Sequence, residues 1–137
     1  VSEKHEGVVL DASAFLAYLK GEPGAETVRD ALADGCTMSA VNWAEVLSKV
    51  AELGKPSGEL IAELTERQLL GPALRILPFE EADAPLVGDL RPRTRHLGLS
   101  LGDRACLALG QRLGSAVLTT DRDWEKLGGE FEIRVIR

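Results

Sequence analysis

Four carboxylates in this 137-residue chain sit at positions from which they could do chemistry together. Asp11 closes the apolar run in VVLDAS, and Asp121 closes another in VLTTD. Asp103 opens a helical stretch in SLGDRA, and Glu45 follows Ser39 within SAVNWAEV. Each has a bland explanation. Asp11 and Asp121 suit helix N-caps. Ser100 and Asp103 have the spacing of a capping box, with Asp for the usual Glu. Glu45 fits a solvated helix face. Taken together they form a constellation with a cost. Two carboxylates about 5 Å apart repel by about 3 kcal/mol at an effective dielectric near 20. A cluster of four needs a divalent cation or a shared proton to offset that repulsion. Its donors are oxygen only, which suits Mg²⁺ with Mn²⁺ as a substitute. Such a site fits phosphoryl chemistry, where the cation polarises a phosphodiester and acidifies water.

Smaller groups flank the acids. Ser13 and Thr119 are placed to orient a carboxylate or a bound water, or to make local turn bonds. Asn42, three residues before Glu45, either holds that carboxylate or completes the Ser39 cap. Asp123 forms a D-x-D with Asp121 and reads more simply as a first-turn acid facing the helix dipole. Trp43 and Trp124 read as packing residues.

The elements that must position these groups follow from the hydrophobic pattern. Short strands are expected over 7–11, 36–40, 74–79, 116–120 and 131–136. Between them lie helices over the stretch before Gly21, over 24–34, from a Ser39 cap to about Leu53, over 57–70, over 80–95, and from a Ser100 cap to Leu113. A short helix starts at Asp121. Strands alternating with helices imply α/β architecture: a three-layer α/β/α sandwich with a central parallel sheet, as one domain over residues 1–137. Ligands of such sheets bind outside the carboxyl ends of the strands. That rule sends all four acids toward one edge.

Composition bounds the rest. The chain is 45% hydrophobic and 28% charged, as globular domains are, and its 4% of aromatics leaves the core to Ala, Val, Leu and Ile. No apolar run reaches the length of a membrane span. The N-terminal VSEKHEG is polar and acidic, unlike a signal peptide. Cys36 and Cys106 read as buried reduced thiols of a cytoplasmic protein. His5 and His96 alone make a zinc site improbable. The net charge of −6 argues at face value against a nucleic-acid partner, yet residues 1–90 carry −9 and residues 91–137 carry +3. Arg91, Arg93, Arg95 and Arg104 concentrate in or just ahead of the Asp103 helix and are candidate phosphate contacts.

In these motifs, VVLDASAFLAYL, SAVNWAEVLSK, LGLSLGDRACLALG and VLTTDRDW, the chain resembles the PIN-domain ribonucleases. The resemblance is nearest to the VapC-type toxins of toxin–antitoxin pairs, in order and spacing from about residue 7 to residue 136. It implies that Asp11 and Asp103 are the principal Mg²⁺ ligands, and that Glu45 and Asp121 complete the site directly or through water. Ser13 and Thr119 fall on the family's hydroxyl positions. The implied activity is metal-assisted endonucleolytic cleavage of single-stranded or looped RNA, leaving a 5′-phosphate and a 3′-hydroxyl. The implied partners are a cognate VapB-type antitoxin and a second copy of the chain. Leu16, Leu19, Val28, Leu32 and Leu60 are candidates for an apolar groove that takes the antitoxin.

The alternatives fit less well. The position after the first strand reads Asp11-Ala12-Ser13, where a dehalogenase-type phosphatase needs D-x-D. A receiver domain needs a Lys after its last strand. An adhesion module of the D-x-S-x-S kind meets Phe15. A non-catalytic metal-binding domain acting through protein partners remains as the second reading.

Overall fold

The computed structural model of the chain describes residues 7–137, so the polar N-terminal stretch and His5 lie outside the described residues. The apolar runs form five short strands: β1 (Val9–Leu10), β2 (Cys36–Ser39), β3 (Leu74–Leu77), β4 (Val117–Thr119) and β5 (Ile133–Val135). The helices are α1 (Ala12–Lys20), α2 (Ala25–Asp34), α3 (Ala40–Glu52), α4 (Ser57–Glu66), α5 (Ala84–Thr94) and α6 (Leu101–Leu113). All strand pairs are parallel, in the order β3-β2-β1-β4-β5. Each β-strand side chain alternates faces, and the buried pairs use this fully. Leu10 and Leu118 enter one core with Phe15, Val28, Met38, Val46 and Leu64 from α1, α2, β2, α3 and α4. Val9 and Val117 enter the other with Leu90, Leu107, Leu109 and Trp124. The result is the expected three-layer sandwich. Cys36 and Cys106 are both free and buried. Among the described residues, no helix is long and apolar enough to cross a membrane.

The strand order sets the site. The chain walks from β1 outward to β2 and β3, then returns to the other side of β1 with β4. Strand order therefore reverses between β1 and β4, and connections leave that point in opposite directions. The crevice this opens at the carboxyl ends is where such sheets bind ligands. Val9 pairs with Val117 and Leu10 with Leu118, so the next residues, Asp11 and Thr119, meet at that crevice.

Two element boundaries differ from the pattern. The 57–70 periodicity continues past the end of α4 at Glu66, because Gln68 takes a left-handed φ of 61° and breaks the helix. Leu69 and Leu70 then pack against the core from the connection. The 80–95 stretch is not one helix either. A 3-10 turn at Glu81–Asp83 precedes α5, and another at Arg95–Leu97 follows it.

An ion pair with one buried partner ties the end of α6 to the start of α5. Asp83 is buried, and Arg112 donates Nε to its Oδ1 at 2.9 Å and Nη2 to its Oδ2 at 3.3 Å. Without the guanidinium, Asp83 keeps the Glu80 N–H at 3.0 Å as a partner for its charge. Arg112→Met is expected to lower unfolding free energy by about 1 kcal/mol, read as a lower urea midpoint at unchanged slope.

Candidate active site

Asp11 follows β1 and caps α1. Its Oδ1 accepts from the Ala14 N–H at 2.8 Å. Two hydroxyls then lock the carboxylate to the far side of the crevice. Thr119 Oγ1 donates to Asp11 Oδ2 at 2.6 Å and accepts from the Asp121 N–H at 3.1 Å. Ser13 Oγ donates to Asp11 Oδ1 at 2.8 Å and accepts from the Thr120 N–H at 3.1 Å. Each hydroxyl thus joins the end of β4 to the end of β1, and each orients the acid between them. Asp11 is only 3% exposed. Its carboxyl is raised to about 6: burial drives it up against the hydrogen bonds from Thr119, Ala14 and Ser13, and the charge of Asp103 adds to the rise.

Asp103 is half-buried in the first turn of α6. The capping box is present in both directions: Ser100 Oγ accepts from the Asp103 N–H at 3.1 Å, and Asp103 Oδ2 accepts from the Ser100 N–H at 2.9 Å. Burial raises the Asp103 carboxyl; the Ser100 bonds lower it, the Asp121 charge raises it, and Arg104 lowers it. Asp121 is exposed, and its Oδ1 accepts from the Asp123 N–H at 2.9 Å at the head of a 3-10 turn, Arg122–Lys126. Asp123 itself pairs with Lys126. Three of the four acids are therefore caps and members of the constellation at once. The two readings of the sequence are not alternatives.

Glu45 comes from α3. Asn42 is buried and donates Nδ2 to Glu45 Oε1 at 2.9 Å and to the Gly102 carbonyl at 2.9 Å. It holds the carboxylate, while the Ser39 hydroxyl alone caps α3 through the Val41 N–H. Beneath the acids lies Cys106, fully buried on α6. Burial pushes its thiol well above the ordinary range, and the charges of Asp11, Asp103 and Glu45 add to the effect. Asp11 also feels Asp103, and Asp103 feels Asp121. All four acids thus share one field at the carboxyl edge of the sheet.

Among the described residues, no three His, Cys, Asp or Glu side chains stand close enough to share an ion. The donors nevertheless fit a hard divalent cation. Among the described residues they are carboxylate and hydroxyl oxygens, and the Cys106 thiol beside them is buried and held protonated. The Asp103 and Asp121 caps use Oδ2 and Oδ1 respectively. The second oxygen of each takes no part in its cap.

The arginines divide. Arg104 differs from expectation: it is 9% exposed, and its Nη1 donates to the Val87 carbonyl at 2.9 Å. It ties α6 to α5 and lies too deep to reach a phosphate on the surface. Arg93 forms an ion pair with Glu130. Arg91 and Arg95 are exposed. Of the apolar groove candidates, Val28, Leu32 and Leu60 belong to the core; Leu16 and Leu19 line a cleft of about 330 Å³ with Val50 and Leu53, floored by Leu60 and Leu64. Trp124 is buried, and Trp43 packs against Phe15.

Gly102 is the site residue that sequence reading missed. It contributes its carbonyl to Asn42 and, having no side chain, space. Its place directly before Asp103 was the one available signal.

A PIN-domain family model matches residues 8–130. The fold is similar to a toxin–antitoxin complex from Klebsiella pneumoniae, with a TM-score of 0.71 and 17% identity over 96% of this chain and 98% of that one. It is similar to VapBC2 from Rickettsia felis bound to a DNA fragment from its promoter, at TM-score 0.70 and 15% identity over 93% and 97%. It is also similar to FitAcB from Neisseria gonorrhoeae, at TM-score 0.65 and 24% identity over 95% and 96%. No curated protein sequence matches the chain.

Proposed function

We propose, from the premise that this chain belongs to the PIN-domain family, that it is a metal-dependent endoribonuclease and the toxin of a VapBC-type toxin–antitoxin pair. The observation that carries the reading is the Asp11–Thr119 link across the β1–β4 crevice, with Glu45, Asp103 and Asp121 in the same field. Asp11, Glu45, Asp103 and Asp121 would hold Mg²⁺ or Mn²⁺, whose charge polarises a phosphodiester and acidifies water. The chain's own work is positional. Thr119 and Ser13 hold the Asp11 carboxylate, and Asn42 holds that of Glu45. In the net reaction a water oxygen bonds to phosphorus and the bond to the 3′-oxygen breaks. The products are a 5′-phosphate and a 3′-hydroxyl. Arg91 and Arg95 are the side chains proposed to meet RNA phosphates.

The cleft between α1, α3 and α4 is the proposed seat of a VapB-type antitoxin. Leu53 at its rim is 69% exposed, an apolar side chain that a partner would cover. Self-association into a homodimer belongs to the same proposal. The solved complexes of similar fold, titled as toxin–antitoxin assemblies, support the antitoxin partner.

Purified chain freed of any co-purifying partner is expected to cut total RNA at discrete sites in millimolar Mg²⁺ or Mn²⁺. Excess EDTA should abolish cutting, and restored metal should return it. End-labelling should find 5′-phosphates on the new fragments. Cutting that persists in EDTA would overturn the metal-dependent reading. No cutting under any metal condition would favour a non-catalytic binding module.

A further inference from the structure

Glu45 is the one acid of the four that does not cap its own helix, so its aim has to come from elsewhere. Its carboxylate rests against the first turn of α6. A Cβ built on Gly102 would stand 2.6 Å from Glu45 Cδ and 2.7 Å from Oε1, with Oε2 closer still. The space a side chain would fill is occupied by the carboxylate itself. Gly102 has helical backbone and no positive φ, so no conformational demand requires glycine there. Glycine inside a helix is a poorer choice than alanine, so some other gain has to offset it. Asn42 supplies the complementary half. It grips the Gly102 carbonyl and Glu45 Oε1 with one amide nitrogen, fastening the acid to that turn. The positive end of the α6 dipole favours a carboxylate at that place.

We infer that Gly102 is a positioning residue: its absent side chain is the seat that lets Asn42 hold the Glu45 carboxylate beside Asp103. This rests on the reading of the four acids as a metal site. The far end of a glutamate is movable, so a methyl group at position 102 displaces the acid rather than the fold.

The test is Gly102→Ala, with Glu45→Ala, the double variant and Asp11→Asn alongside it. Thermal unfolding is followed in EDTA, Mn²⁺ binding by calorimetry, and RNA cleavage as kcat/KM. Gly102→Ala is expected to leave the metal-free Tm unchanged or raise it by up to about 4 °C. Mn²⁺ affinity should fall about tenfold or more, and kcat/KM should fall with it. In the Glu45→Ala background the same change should have no further effect on either. The inference is overturned if Gly102→Ala binds and cleaves like the parent. It is overturned equally if the loss is as large without Glu45, or if Tm falls by several degrees. Asp11→Asn separates the levels. If it loses binding and cleavage while Gly102→Ala keeps both, only the seat is wrong. If Asp11→Asn behaves as the parent, or the parent neither binds Mn²⁺ nor cleaves, the site reading falls and this inference with it.

Discussion

Asp11→Asn is expected to lower Mg²⁺-dependent RNA cleavage by at least about a thousandfold without unfolding the chain. The substitution separates the two things Asp11 does. Asparagine caps a helix about as well as aspartate, and its carbonyl can still accept from the Ala14 N–H. It cannot bring negative charge to the β1–β4 crevice, where Thr119 and Ser13 fix the carboxylate. A cap alone would leave both stability and activity intact. A member of the acid constellation should keep the fold and lose the chemistry. Single-turnover cleavage and far-UV circular dichroism on the same sample decide between them. Asp11→Ala would be less informative, because loss of the cap would itself cost about 1 kcal/mol. Cleavage by Asp11→Asn within tenfold of the parent would remove Asp11 from the reaction.

The positions of the four acids were legible because strand ends and helix starts are local features. Asp11 and Asp121 follow β-branched runs, and the rule for parallel sheets places such residues on one edge. The capping box at Ser100 and Asp103 was equally readable from spacing. Competition between cap and site proved to be no competition, since a helix N-terminus both accepts a cap and favours negative charge. What stayed hidden depends on packing between distant segments. Arg104 lies one residue from Asp103, yet its burial follows from where the Val87 carbonyl of α5 sits. The Arg93 pairing crosses 37 residues to Glu130. Gly102 matters only because α3 packs against α6 and brings Glu45 over it. Net charge carries little local information for the same reason. The net −6 is a sum over −9 in residues 1–90 and +3 in residues 91–137, so it says little about the surface near Arg91 and Arg95.

In the absence of metal, the chain is expected to lose stability as pH rises from about 4 to above 6, through Asp11. Burial raises this carboxyl from its ordinary 3.8 to about 6 in the folded chain. Near pH 3 both states hold the proton and the group contributes nothing. As pH rises, the unfolded chain releases its proton first, and the folded chain releases it only near 6. Above that, the folded state carries a buried charge at a cost of about 3 kcal/mol. Asp103 is raised as well and acts in the same direction. Other carboxylates also titrate in this range, so the quantity to measure is parent minus Asp11→Asn. By urea unfolding in EDTA, that difference should move against the parent by about 2 kcal/mol between pH 4.5 and pH 7.5. Millimolar Mg²⁺ should then stabilise the parent at pH 7.5, do little at pH 4.5 where Asp11 is protonated, and do little for the variant at either pH. A pH-independent difference would show that the Asp11 charge is solvated in the metal-free chain. Equal Mg²⁺ stabilisation of parent and variant would place the cation away from Asp11.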